Sequence, residues 1–415
     1  MARLTPKWGR RSDHDVDETL PGGTRVRGFL DRRFSGVLTA FLENFTEGDD
    51  LGAACTVLWR GDRVVDLWGG VRDARTGDQW EHDTRVLVYS CSKGILALCL
   101  GMLVDRDLLE LDAPVTRYWP EFGRGGKART TVRMLATHTL GVLYPVPASS
   151  RAEVLAWDPM VRWLENAPPL WEPGTDSEYH AHTHGWLLGE LIVRITGIHP
   201  REFLQREVAT PLGLAMSYGV VSADIPALAR IEPPLPWADA DDYAVYLTLI
   251  AEHPHMLPTL TMAGALPFPG FGGDETYNSA DVLTAELPAA NLVTSARDLA
   301  TAYSAAVTET AGVRLVSDRV VREMSTFTHG GDGRSVITPL HRWGTGFQLD
   351  SPPFRAMVGP TSFGHDGAGG NLGFGDLARA IGFGYVTNQM GGVPDERSNS
   401  LVRALVEALD RVDLP

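Results

Sequence analysis

Between Ser90 and Asp105 the chain is almost wholly apolar, and this stretch constrains the fold more than any other feature. Ile95, Leu96, Leu98, Leu100, Met102 and Leu103 leave a helix here without a polar face, so it must be covered on most sides. Its strongly apolar part, around Ile95–Val104, is too short to span a bilayer, which takes about 20 such residues. The chain has to supply the cover itself, and 415 residues suffice for roughly two or three domain-sized units.

Strand signals lie towards both ends of the chain. Ala53–Trp59 and Arg63–Trp68 are β-rich and are separated by Arg60-Gly61-Asp62, a hairpin signal. Just before them, the spacing of Phe34, Val37, Leu38, Phe41 and Leu42 predicts an amphipathic helix over Phe29–Phe45. The middle holds helical patterns broken by the Pro-rich segments Glu232–Trp237 and Pro254–Pro269. Trp186–Thr196 and Asn291–Val307 are the clearest helices. Gly344–Leu349, Ser362–His365, Leu372–Asp376 and Ile381–Thr387 then predict short strands, and Ser398–Val412 a closing amphipathic helix. The economical arrangement is a mixed α/β (α+β) fold. Residues 26–105 and 290–415 build one α/β domain, 106–289 a mostly helical domain with long loops, and 1–25 a loosely held polar arm.

Composition narrows the function. Hydrophobic residues make up 44% and charged residues 21%, values ordinary for a globular enzyme. A formal net charge of -15 repels nucleic acid and anionic lipid, and the basic runs Lys7 to Arg11 and Arg124 to Arg129 are short. The N-terminus is basic but no apolar stretch follows it, so no export signal is expected. Cys55, Cys91 and Cys99 give an odd count that predicts free thiols rather than a disulfide framework. Together these predict a soluble, cytoplasmic protein with neither a nucleic-acid nor a membrane partner.

Three stations carry chemistry. In Ser90-Cys91-Ser92-Lys93, positions i and i+3 of a helix share a face, so the Ser90 hydroxyl and the Lys93 amine can meet. They would do so at the mouth of the buried helix, where free N–H groups favour negative charge on an attacked carbonyl. An ordinary lysine, with a pKa near 10.4, is neutral in only about 4 of 10,000 molecules at pH 7, so burial must help. Ser92 is the competing nucleophile, but neighbours on a helix point roughly 100° apart, which favours Ser90. Tyr179 stands just before an apolar helix, where its phenol could be driven towards phenolate by the lysine and take the serine proton. By itself, a tyrosine before a helix is more often a packing residue. Gly364-His365-Asp366-Gly367-Ala368-Gly369-Gly370 is either an oxyanion donor on a strand edge or a tight hairpin turn.

These stations, in this order, resemble the serine β-lactamase and penicillin-binding-protein superfamily, and most closely its class C-related branch with the family VIII carboxylesterases. Val115–Phe122, Thr131–Gly141, Tyr179–Gly197, Leu287–Ala300 and Phe363–Asn388 support the resemblance. It implies an antiparallel sheet flanked by helices plus a mostly helical domain, with the active site between them. It also implies Ser90 as nucleophile, Lys93 and Tyr179 as the proton-transfer pair, and the N–H groups of Ser90 and Ala368 as the oxyanion hole. β-Lactamases of this kind carry Tyr-x-Asn and Lys-Thr-Gly at the second and third stations. Here Ala181 and His365 replace the Asn and the Lys, with Gly367 retained. Ala181 cannot hydrogen-bond a penicillin side-chain amide, and a mostly neutral His365 anchors a carboxylate weakly.

The expected activity is therefore ester cleavage through a Ser90 acyl-enzyme, on a small-molecule ester and without a cofactor. Acyl transfer to a small-molecule amine or alcohol uses the same site, and a catalytically silent binding module is the non-enzymatic alternative. Trp157–Trp171 and Leu257–Phe271 are candidate pocket walls. Alternating His180, His182 and His184 could bind zinc on a strand, but they lead into a helix, so no metal is expected. Neither Gly-x-Ser-x-Gly nor a nucleotide-binding glycine motif is present, and Gly382-Phe383-Gly384 suits sheet packing.

Overall fold

The computed structural model describes residues 13–234, 252–269, 276–332, 335–392 and 395–413. The Pro-rich stretches Glu232–Trp237 and Leu257–Phe271 lie partly outside them. From the N-terminal part come β1 (Asp13–Thr19), β2 (Arg25–Asp31), β3 (Gly52–Trp59), β4 (Asp62–Asp73) and β5 (Asp78–Gln79). From the C-terminal part come β9 (His329–Gly330), β10 (Arg342–Trp343), β11 (Gln348–Leu349), β12 (Ser362–Asp366), β13 (Leu372–Asp376) and β14 (Ile381–Thr387). These eleven strands make one sheet in the order β1-β2-β4-β3-β14-β13-β12-β11-β10-β9, with β5 on β4. Every pairing is antiparallel, and the two chain ends meet where β14 pairs with β3.

Local chemistry explains the elements. The β3–β4 hairpin turns through Arg60 and Gly61, both left-handed at φ 56° and 86°, the pairing whose twist suits a two-residue hairpin. In β14, a side chain on Gly382 or Gly384 would run into the Ala300 or Ala296 carbonyl of the Ala296–Val307 helix, so the two glycines let helix and sheet approach closely. That helix and the Cys91–Asp105 helix belong to one buried cluster, with Phe363 of β12 and Val386 of β14. A second cluster joins Val37 and Phe41 of the Ser35–Thr46 helix to Leu401 and Leu405 of the closing Glu396–Asp413 helix, over Phe374, Phe383 and Tyr385. The result is an antiparallel sheet flanked by helices. Among the described residues no helix is long and apolar enough to cross a membrane, and all three cysteines are buried free thiols.

Three expectations need correction. Residues 13–19, assigned to a loose arm, form β1 against β2. The helix expected over Phe29–Phe45 is shorter, Ser35–Thr46, because Val26 and Leu30 bury on β2 between β1 and β4. The helix expected over Asn291–Val307 is split. Leu292–Thr294 is a strand, β8, which pairs with β6 (Val86–Leu87) and β7 (Ser217–Tyr218), and Ser295 then caps the helix by accepting the Asp298 N–H at 3.2 Å.

Candidate active site

Ser90 stands at the N-cap of the apolar helix, immediately after Tyr89, whose φ of 46° is costly for so bulky a residue. Surrounding bonds hold this bend. Cys91, Ser92 and Lys93 donate their N–H groups to the Val88, Tyr89 and Ser90 carbonyls at 3.2, 3.0 and 3.0 Å. Ser92 is fully buried; its hydroxyl donates to the Tyr89 carbonyl and accepts the Leu292 N–H at 2.9 Å. Ser92 is thereby occupied in supporting the bend that presents Ser90.

One helical turn on, Lys93 is completely buried. Its Nζ lies 3.1 Å from Ser90 Oγ, 2.7 Å from the Ala181 carbonyl and 2.9 Å from the Ala289 carbonyl. A neutral amine has two N–H donors and one lone pair. Two carbonyls take the donors, which leaves the lone pair for the serine hydroxyl. Burial brings the Lys93 pKa down to about 7, against the opposing pull of the Asp366 carboxylate.

Tyr179 Oη donates to Ser90 Oγ at 2.8 Å, and the ring centroid lies 4.8 Å from Lys93 Nζ. The ring is held between His138 and Trp343, at centroid distances of 5.0 and 5.7 Å. Burial pushes the Tyr179 pKa well up, because a phenolate here would lose its hydration. Burial therefore works against the expected drift of the phenol towards phenolate and favours the neutral form of both groups.

The Gly-rich station is both a strand edge and a turn. β12 ends at Asp366, Gly367 donates to the Asn371 carbonyl at 2.8 Å, and Ala368–Gly370 makes a short 3-10 turn into β13. A side chain on Gly367 would strike the Val88 carbonyl, so this turn sits directly against the backbone that leads to Ser90. Among the described residues, neither the Ser90 nor the Ala368 N–H donates to a protein acceptor. The buried Arg397 fixes the turn by donating to the Gly369 carbonyl at 2.8 Å, while Asn371 Nδ2 donates to the Ala368 carbonyl at 3.1 Å.

His365 is buried, and its Nδ1 donates to the Asp366 carbonyl at 2.7 Å. Burial holds its pKa below the usual imidazole value, so it carries no charge near pH 7. Ala181 enters the site through its carbonyl on Lys93. The alternating histidines diverge. His180 donates from Nδ1 to the Glu178 carbonyl and accepts the Gly141 N–H, whereas His182 Nε2 bonds the Leu260 carbonyl. Among the described residues no group of three His, Cys, Asp or Glu could hold a metal ion. Ala289, Asn371 and Arg397 were missed by sequence reasoning: Ala289 acts only through its carbonyl, and the other two act on carbonyls of the turn, roles no side-chain pattern marks.

Fold and comparison together define a hydrolase of the esterase and β-lactamase fold. Residues 38–408 match the Beta-lactamase family, and the chain belongs to it. It is 32% identical over 388 residues to the Esterase/beta-lactamase LipL of Mycobacterium tuberculosis, covering 91% of this chain and 86% of that protein. A solved family VIII carboxylesterase superposes with a TM-score of 0.81 at 30% identity, covering 92% of this chain and 99% of that one. A penicillin-binding-protein homologue from Caulobacter crescentus gives 0.80 at 27% identity, again over 92% and 99%. These relatives mark the chain as an enzyme.

Proposed function

We propose that the protein is a carboxylesterase that works through an acyl-enzyme on Ser90. The convergence of Lys93 Nζ and Tyr179 Oη on Ser90 Oγ, at 3.1 and 2.8 Å, carries this reading. Ser90 Oγ attacks the ester carbonyl carbon while its proton passes to the Lys93 lone pair. The carbonyl oxygen becomes an oxyanion, received by the N–H groups of Ser90 and Ala368. As the tetrahedral species collapses, the C–O bond to the alcohol breaks, Tyr179 gives its proton to the departing alkoxide, and the Lys93 proton replaces it. Water then attacks the acyl-enzyme, its proton passing to the same pair. The carboxylic acid leaves and Ser90 regains its hydrogen.

Lys93 acts as base only when neutral. With its pKa at about 7, kcat/KM for a p-nitrophenyl ester should rise about tenfold per pH unit below pH 7 and level off above it. A profile that climbs only above pH 9 would mean that Lys93 keeps its ordinary basicity, and the proposed base would be lost.

Esters are favoured over β-lactams because no cation replaces the lysine of Lys-Thr-Gly and no amide stands at Ala181. A lost charge-assisted hydrogen bond is worth about 1.5–3 kcal/mol, roughly 10- to 100-fold in kcat/KM. A chromogenic cephalosporin should therefore be turned over at least tenfold less efficiently than a short-chain p-nitrophenyl ester. Parity between the two would sink the carboxylesterase assignment in favour of a β-lactamase.

A further inference from the structure

Glu178 has no role in the chemistry above, yet it makes more bonds than any other side chain beside Tyr179. Its Oε1 accepts the Tyr179 N–H at 2.7 Å, the Ser335 hydroxyl at 2.7 Å and the Ile337 N–H at 3.5 Å, while Oε2 accepts the Val336 N–H at 2.8 Å. Ser335 also accepts the Thr338 N–H at 3.1 Å, so Ser335–Thr338 is a turn whose successive donors close on a carboxylate, a backbone anion nest. The carboxylate itself is held by its own backbone. The Glu178 N–H donates to the His138 carbonyl at 3.2 Å, and its carbonyl accepts from His180 Nδ1 at 2.7 Å.

What this turn carries gives the latch its consequence. Ile337 is partly buried against a small cluster of Tyr179, Ala181 and Trp343, which Leu260 joins from the Met256–Thr261 helix. The cluster is separate from both large cores and contains the tyrosine whose hydroxyl touches Ser90. Ile337 and Leu260 are only partly buried, so both keep some apolar surface exposed next to the cluster that holds Tyr179. No other apolar side chain joins this cluster among the described residues.

We propose that Glu178 is a positioning residue that latches the Ser335–Thr338 turn onto Tyr179, and that Ile337, held there, is the wall limiting the length of the acyl group the site accepts. The inference rests on the Ser90 acyl-enzyme reading and names what sets its preference among acyl chain lengths. Breaking the latch frees the turn and withdraws the wall, so longer acyl chains gain relative to short ones. A pocket wall changes discrimination about 10-fold or more for each methylene-sized misfit.

The test is the ratio of kcat/KM for p-nitrophenyl hexanoate to that for p-nitrophenyl acetate, in Ile337→Ala, Glu178→Ala and Glu178→Gln. We expect the ratio to rise about tenfold in Ile337→Ala, and in the same direction in Glu178→Ala. Glu178→Gln keeps one acceptor oxygen and should fall between Glu178→Ala and the unaltered protein. Hydrogen exchange should also quicken at the Val336 and Ile337 amides in Glu178→Ala. A ratio within twofold of the unaltered protein in both Ile337→Ala and Glu178→Gln would overturn the proposal, even if Glu178→Ala failed to fold. Equal losses on both esters with amide protection unchanged would overturn it as well. Activity surviving in Ser90→Ala would instead defeat the acyl-enzyme reading while the ratio still reported on the wall.

Discussion

Ser90→Ala is expected to lower kcat for a short-chain p-nitrophenyl ester by about ten-thousand-fold or more, with the fold intact. Loss of a covalent nucleophile removes the reaction path itself, and what remains is the weaker catalysis of binding and oxyanion donors. Stability should change little, because Ser90 is only half-buried and its hydroxyl makes no helix-capping bond. Ser92→Ala is the informative partner. It removes a buried hydroxyl that bonds the Tyr89 carbonyl and the Leu292 N–H, which costs about 1–3 kcal/mol of stability. Its nucleophile is untouched, so most ester turnover should survive at temperatures where the variant is folded. Near-native kcat in Ser90→Ala, or Ser92→Ala as the dead variant, would place the nucleophile elsewhere.

Lys93→Arg should be nearly as inactive, by about a thousand-fold or more, although it preserves the positive charge. A guanidinium does not deprotonate near neutral pH and has no lone pair to offer a serine hydroxyl. It is also too broad for a space bounded by the Ala181 and Ala289 carbonyls, 2.7 and 2.9 Å from Lys93 Nζ. General-base contributions of this kind are worth about 10²–10⁴ in rate. Single-turnover acylation kinetics on the variant, with its fold checked by circular dichroism, give the answer. If Lys93→Arg acylated at more than about a tenth of the native rate, the lysine would be acting as a fixed cation, and the neutral-amine mechanism would fall.

The three stations were visible because each obeys a local rule. Ser90 and Lys93 lie one turn apart, Tyr179 precedes an apolar helix, and glycines crowd the residues around Ala368. Hairpins and late strands were legible for the same reason, since β12, β13 and β14 are short alternating runs with glycine at their bounds. What escaped was non-local. Arg25–Asp31 alternates well enough for a strand, but the helical spacing that begins at Phe34 overran it, and only pairing with β1 and β4 fixes it as β2. Leu292–Thr294 ran into the following helix pattern because three residues are too few to carry a period. Sequence shows which residues can meet, whereas the burial that raises the Tyr179 pKa and lowers that of Lys93 is set by the fold around them.

The nucleophile can be read out by intact and peptide-level mass spectrometry after exposure to a fluorophosphonate probe and to a p-nitrophenyl ester, on the unaltered protein and on Ser90→Ala. A single covalent adduct is expected, on the peptide that contains Ser90, with the acyl form clearing as product appears and no adduct on Ser90→Ala. An adduct on any other residue, or one retained at full yield in Ser90→Ala, would contradict it.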